Sequence, residues 1–96
     1  MVKPEAQSAK WTFLSNHGHL LVHLSRQPEA KIKEMAEAIG ITERRTQSIL
    51  ADLEDSGYVT ITRTGRRNTY QVNAKKKFRH PAEADKSVSE LLRIFK

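Results

Sequence analysis

The sequence predicts one mainly helical α+β domain, with a three-helix core, a short strand, a two-stranded β-hairpin and an added C-terminal helix. Three observations support this fold class. Apolar residues recur at helical spacing in four segments, a glycine follows the second and third of them, and an alternating, β-rich stretch separates the third from the fourth. The length of 96 residues fits a single domain with a modest core.

The first helix is predicted from a cap, an apolar stripe and a chain breaker. Ser15 or Asn16 can cap its N-terminus, and the helix is expected to run to about Arg26, ahead of Pro28. A short strand is expected next, at residues 30–32.

The second and third helices are each predicted to end at a glycine. The second is expected over residues 33–39, followed by Gly40. Thr42 is a good N-cap for the third, which is expected over residues 43–56 and is followed by Gly57.

A β-hairpin and a last helix complete the predicted fold. Residues 58–63 and 69–72 alternate as strands do, and residues 64–68 have the composition of a turn. A helix is then predicted from residue 82 to residue 95. Its apolar stripe is Val88, Leu91, Leu92 and Phe95.

The second and third helices have the pattern of a helix-turn-helix. Ala36 is the small residue needed where the two helices cross, and Gly40 tolerates the positive φ of the turn. Apolar residues then lock the later helix onto the earlier one: Ile41, Ile49 and Leu50. Together with Leu53 and the segment at residues 57–59, this stretch resembles the winged helix-turn-helix regulators of the MarR-like type, over roughly residues 15–72.

The resemblance implies that the chain is a transcriptional regulator that binds double-stranded DNA sequence-specifically, usually as a homodimer. Thr46 departs from the family pattern, because an aliphatic residue usually stands at this position. We expect Thr46 to bury its methyl group and to bond a preceding backbone carbonyl.

Four segments follow from this interpretation. Residues 1–10 are polar and form a flexible N-terminal arm, residues 11–73 form the DNA-binding domain, residues 74–81 form a basic connector, and residues 82–96 form the C-terminal helix. The first apolar side chains after the arm are expected to pack against the first helix, with the wall of an effector pocket as the alternative. These are Trp11, Phe13 and Leu14.

The formal net charge of +6 is unevenly distributed along the chain. Residues 42–80 carry a net charge of +5, and residues 57–80 contain seven basic residues and no acidic one. A basic excess concentrated in one part of a small domain favours an anionic partner such as nucleic acid.

The N-terminal half of the third helix is predicted to contact DNA bases in the major groove. Arginine suits guanine, glutamine suits adenine, and serine suits a base or a phosphate. The C-terminal half is acidic and would repel phosphates, which orients the helix. The predicted contacts are Thr42, Arg44, Arg45, Gln47 and Ser48.

The hairpin is predicted to lie on the DNA backbone or in the minor groove, where arginine is attracted to narrow stretches. Its predicted contacts are Arg63, Arg66, Arg67 and Asn68. The basic connector leaves two interpretations open, a solvated face or contact with phosphates. Its basic residues are Lys75, Lys76, Lys77 and Arg79.

The composition also excludes several kinds of site. The chain has no cysteine, so it has no disulfide, thiolate zinc site or cysteine nucleophile. His19 and His23 share a helix face, but no third ligand completes a site within that helix, so we predict no metal or other cofactor. Without a glycine-rich phosphate loop or a nucleophile elbow, we predict that the chain is not an enzyme.

The absence of targeting signals leads to an expected location. No apolar run approaches the roughly 18–20 residues needed to cross a bilayer, and no signal-peptide core is present. We therefore expect no membrane partner and a cytoplasmic protein.

The apolar stripe of the C-terminal helix has two interpretations. It can fold back onto its own domain, or it can pair with the same helix of a second subunit to form a homodimer, which symmetric DNA half-sites favour. The stripe also keeps open an alternative function, a winged-helix module for protein interactions within a larger assembly. A third possibility, binding of RNA duplexes or left-handed DNA, is disfavoured by a hairpin without proline.

Overall fold

A computed structural model describes residues 11–95. In chain order the elements are α1 (Asn16–Arg26), α2 (Ile32–Ile39), α3 (Glu43–Asp55), β1 (Val59–Thr64), β2 (Arg67–Val72) and α4 (Val88–Ile94). The two strands form one antiparallel hairpin, the wing. Four helices and a hairpin confirm the predicted mainly helical fold class. The predicted N-terminal arm, residues 1–10, lies outside the described residues.

Two predicted side-chain caps begin α1 and α3. The Ser15 hydroxyl accepts a hydrogen bond from the Gly18 amide at 3.2 Å. The Thr42 hydroxyl accepts one from the Arg45 amide at 3.0 Å. Each bond satisfies an amide in the first turn that has no partner within its helix. Both helices therefore begin where the sequence indicates.

The structure differs from the prediction at residues 30–32, where the described chain contains no strand. The Lys31 amide donates to the Glu34 carboxylate at 2.8 Å, which makes Lys31 the residue before the first turn of α2 and draws Ile32 into the helix. The loop before α2 still contacts the wing, because the Tyr70 amide donates to the Pro28 carbonyl at 2.9 Å.

The hydrophobic core lies between the helices and the base of the wing. Its fully buried apolar side chains come from α1, α2, α3 and α4: Leu20, Leu24, Met35, Ile49 and Val88. The base of the wing closes this core with buried Tyr58, Val59 and Tyr70. The outer half of the wing is mostly exposed, so only its base is fixed by apolar burial.

The C-terminal helix is shorter than predicted, since α4 begins at Val88 and not at residue 82. Residues 81–85 form turns. The Ser87 amide donates to the Glu90 carboxylate at 2.9 Å and begins the helix. Upstream of it, an antiparallel bridge between Lys77 and Ser87 holds the backbone extended, which prevents the helix from starting earlier.

The predicted apolar stripe folds back onto its own domain at two of its four positions. Val88 is fully buried, and Leu92 packs against the core. Leu91 is half-buried and Phe95 is exposed. Neighbouring Ile94 is 75% exposed.

Burial of the first aromatic residues is not found. Trp11 is 71% exposed and Phe13 is 93% exposed, so the expected packing of these two rings against α1 is wrong. They contact each other edge to face, with ring centroids 5.1 Å apart. No helix in residues 11–95 is long and apolar enough to span a membrane.

Candidate nucleic-acid interface

The outer side of α3 carries the predicted base-contacting residues. Its inner side is buried at Thr46, Ile49, Leu50 and Leu53. Because side chains advance by about 100° per residue around a helix, this burial turns the other positions outward. All five predicted residues are exposed: Thr42, Arg44, Arg45, Gln47 and Ser48. The core therefore fixes α3 in the orientation that the sequence predicts.

The two flanks of α3 face different parts of the protein. Gln47 and Glu54 are seven residues apart and share one flank, while Arg45 and Asp52 share the other. Glu54 contacts the wing, and Asp52 contacts α1. The outward face between these flanks carries Arg44, Ser48, Ala51 and Asp55.

The wing has a tighter tip than predicted. Thr64 pairs with Arg67, so the turn consists of Gly65 and Arg66 alone, not residues 64–68. Gly65 has a φ of 61°, which suits the first position of the two-residue turns that match strand twist. Arg66 and Arg67 are exposed at this tip. Their positive charges therefore project from the end of the hairpin.

Arg63 is held by α3 and does not project from the wing tip. Its guanidinium nitrogens lie 3.3 and 3.4 Å from the two carboxylate oxygens of Glu54. The hydrogen bond and charge of Glu54 raise the pKa of Arg63 above its ordinary value. The sequence predicts that Arg63 contacts DNA, but in the structure its guanidinium is paired with a carboxylate of the protein itself.

Asn68 also has a partner within the wing. It is half-buried, and its side-chain amide donates to the Tyr70 hydroxyl at 3.3 Å. This contact orients the amide toward the base of the hairpin. Arg63 and Asn68 thus bind other residues of the protein, whereas Arg66 and Arg67 are exposed at the tip.

Two of the three acidic residues at the end of α3, Asp52 and Glu54, have partners elsewhere in the protein. Asp52 accepts a hydrogen bond from the His17 ring at 2.8 Å, which ties α3 to the start of α1. Glu54 binds Arg63 on the opposite flank. Sequence reasoning missed both roles. The seven-residue spacing from Gln47 to Glu54 was the available signal, but it required knowing on which flank the wing lies.

Comparison with known proteins agrees with this geometry. Residues 15–60, from the start of α1 into β1, match the family described as winged helix-turn-helix DNA-binding. This part of the chain has the winged helix-turn-helix fold. No curated protein sequence matches the chain.

Two solved structures resemble nearly the whole chain. A zinc-responsive MarR family member, ZitR of Lactococcus lactis, is 17% identical with a TM-score of 0.55, over 98% of this chain and 69% of ZitR. The antimony-specific transcriptional repressor AntR is 16% identical with a TM-score of 0.54, over 99% of this chain and 89% of AntR. At these identities the likeness establishes a shared fold.

Two residues of the basic connector, Lys76 and Arg79, lie beside the C-terminal end of α3. The Lys76 ammonium lies 5.2 Å from the centre of the Tyr58 ring. Arg79 donates to the Ser56 hydroxyl at 3.4 Å. Cations at this end of a helix are favoured by its dipole. For these two residues, the contacts favour a structural role over the alternative of phosphate binding.

A cleft of about 690 Å³ opens at this same end of the domain. Leu14, Leu21 and Leu91 line its apolar side, and His17 and Arg79 line its polar side. Within residues 11–95, no three histidine, aspartate or glutamate side chains are grouped so as to hold a metal ion.

Proposed function

We propose that the chain is a transcriptional regulator that binds double-stranded DNA sequence-specifically. The N-terminal half of α3 enters the major groove, and the wing lies on the backbone or in the minor groove. The observation that supports this proposal is the exposed set of Arg44, Gln47 and Ser48 on a helix whose opposite side is locked in the core. The regulator works in the cytoplasm with its DNA and has no enzymatic activity.

The residue types suggest that α3 reads the bases and that the wing contributes affinity without sequence preference. Arg44 can bind the two acceptors of guanine, and Gln47 can bind adenine through its amide. Arg66 and Arg67 bind phosphates or enter a narrow minor groove, so they contribute affinity for every sequence. Thr42 and Arg45 lie at the N-terminus of α3, where phosphates are favoured by the helix dipole, and Ser48, further along the helix, can bind a base or a phosphate.

The test begins with selection of bound duplexes from a random pool. Against the selected site, Arg44→Ala and Gln47→Ala should each reduce discrimination by about 1–3 kcal/mol per base contact. Arg66→Ala and Arg67→Ala should weaken binding to all sequences alike and reduce its dependence on salt.

The matched control removes positive charge from the far end of the domain. Lys75→Ala and Lys77→Ala, two exposed residues of the connector, should change affinity much less than the wing variants. If none of the four interface variants changes binding, or if the connector variants weaken binding as much as the wing variants, the assignment of the interface is wrong.

We also propose that the regulator is a homodimer whose interface includes α4. Val88 and Leu92 are used by the core, which leaves half-buried Leu91 and exposed Ile94 and Phe95 for a partner. In sedimentation at micromolar concentration, Leu91→Glu should convert the dimer to a monomer. Arg93→Glu, an exposed charge change on the same helix, is the control. A wild-type monomer, or a dimer unaffected by Leu91→Glu, would contradict this interface.

A further inference from the structure

The contact between Glu54 and Arg63 joins the two elements of the proposed interface. Glu54 belongs to the last turn of α3, and Arg63 belongs to β1, two residues before the turn at Gly65. Two guanidinium nitrogens face two carboxylate oxygens at 3.3 and 3.4 Å. A paired contact of this kind constrains both distance and orientation, unlike a single point contact.

The outer half of the wing depends on polar contacts for its position. At the base of the wing, the Tyr70 amide donates to the Pro28 carbonyl at 2.9 Å, level with Ile61 of β1. On β1, Arg63 binds Glu54. Beyond Ile61, the remaining residues of β1 are exposed, and apolar burial does not hold them. A two-stranded ribbon twists readily, so the contact on β1 limits how far the tip can swing from α3.

Glu54 is negatively charged, so its simple electrostatic effect on DNA binding is opposite to the effect expected of a residue that positions the wing. A carboxylate on a helix that binds DNA repels phosphates, and its removal should ordinarily strengthen binding to a polyanion. Glu54 is 36% exposed and Arg63 is 60% exposed, so the pair contributes little to folding stability. Neither charge is needed by the core.

We propose that Glu54 is a positioning residue for DNA binding. Through Arg63 it sets the angle between α3 and the wing, so that Arg66 and Arg67 reach the same duplex that α3 contacts. This role rests on the proposed DNA-binding function. It makes Glu54 the partner of Arg63, whereas the sequence predicts that Arg63 contacts DNA.

The direction of a single affinity change tests this role. Glu54→Ala should lower affinity for the selected duplex by about two- to fivefold, the scale of an exposed ion pair. Asp55→Ala removes the same charge from the neighbouring, exposed position and should leave affinity unchanged or raise it. If Glu54→Ala binds as tightly as Asp55→Ala, or more tightly, the proposal is wrong.

Coupling between the two residues provides a second test. The double variant Glu54→Ala/Arg63→Ala should bind no more weakly than Arg63→Ala alone, because the pair is already broken. The exchanged pair Glu54→Arg/Arg63→Glu should recover most of the wild-type affinity. Independent, multiplicative effects would instead indicate that Arg63 contacts phosphate directly and would overturn the proposal.

A shortened duplex separates positioning from a general loss of structure. On a duplex trimmed to the base pairs contacted by α3, Glu54→Ala should bind like the wild type, as should Arg66→Ala. An equal loss on both duplexes would show that Glu54 supports the fold and not the wing. If the wild-type protein selects no duplex, the proposed function fails. If Arg66→Ala weakens binding and Glu54→Ala does not, only the positioning role fails.

Discussion

The Thr46 hydroxyl donates to the backbone carbonyl of Thr42 at 2.9 Å, inside the helix-turn-helix. Thr46 is fully buried, and it is the position at which the sequence departs from the aliphatic residue of the family pattern. The same carbonyl also accepts the Thr46 amide at 3.0 Å. The hydroxyl is therefore satisfied within its own helix, and the carbonyl has a partner without it.

Replacement of Thr46 by valine should leave stability within about 0.5 kcal/mol of wild type, because the carbonyl keeps its amide donor. Thr46→Ser keeps the hydroxyl and removes a buried methyl, which should cost about 1 kcal/mol. Urea unfolding followed by circular dichroism measures both. A larger loss for valine than for serine would show that the hydroxyl, and not the methyl, stabilises α3.

Gly40 provides the backbone conformation that the turn requires. It has a φ of 87° and a ψ of 35°, and among the described residues only its chain neighbours lie within 4 Å of the position that a Cβ would occupy. Gly40→Ala should lower the free energy of unfolding by about 1–2 kcal/mol through backbone strain alone. Gly40→Asn should lose less, because asparagine tolerates the left-handed region. Equal losses in thermal unfolding would indicate that steric contact, not conformation, is responsible.

Local features of the sequence predict well where α1 and α3 begin. The α1 and α3 caps, Ser15 and Thr42, act on amides three residues away, so the sequence contains all the relevant information. The start of α4 depends both on the local contact of the Ser87 amide with Glu90 and on the non-local bridge between Lys77 and Ser87. Residues 82–85 suit a helix by composition, and the non-local pairing keeps the chain extended at Ser87, after these residues.

In the candidate site, too, features set by local sequence can be predicted and contacts between elements cannot. The period of α3 predicts its exposed face, because the buried positions alone orient the helix. The partner of Arg63 cannot be predicted in this way, since Glu54 lies on another element. The exposure of Trp11 is a related failure. An apolar residue type indicates a preference for burial, but not whether a core surface is within reach.

His23 should make the stability of the domain depend on pH. Burial lowers its pKa below the ordinary value of 6.5, Glu34 opposes this shift, and Arg26 adds to it. Among the described residues its buried Nε2 has no hydrogen-bond partner. The unfolded chain therefore takes up the proton more readily than the folded protein, and stability is lost as the pH falls through 6.5.

The measurement is urea unfolding at about pH 7.5 and about pH 5.5, which bracket the ordinary histidine pKa. The wild type should lose more stability between these conditions than His23→Gln, which cannot titrate. Comparison of the two proteins at the higher pH measures the cost of the substitution itself. The same loss in both proteins would assign the acid sensitivity to other groups.

The C-terminal helix should unfold together with the rest of the domain. Val88 is fully buried in the common core, whereas Ile94, in the same helix, is 75% exposed. Val88→Ala should lower the free energy of unfolding by about 1.5–2.5 kcal/mol, since it removes two buried carbon atoms and leaves a cavity. Ile94→Ala should change it by no more than about 0.5 kcal/mol at concentrations where the protein is monomeric.

A second, separate unfolding transition in Val88→Ala would show that α4 docks independently. A concentration-dependent loss in Ile94→Ala would place that side chain in the subunit interface, because only contacts between subunits depend on protein concentration.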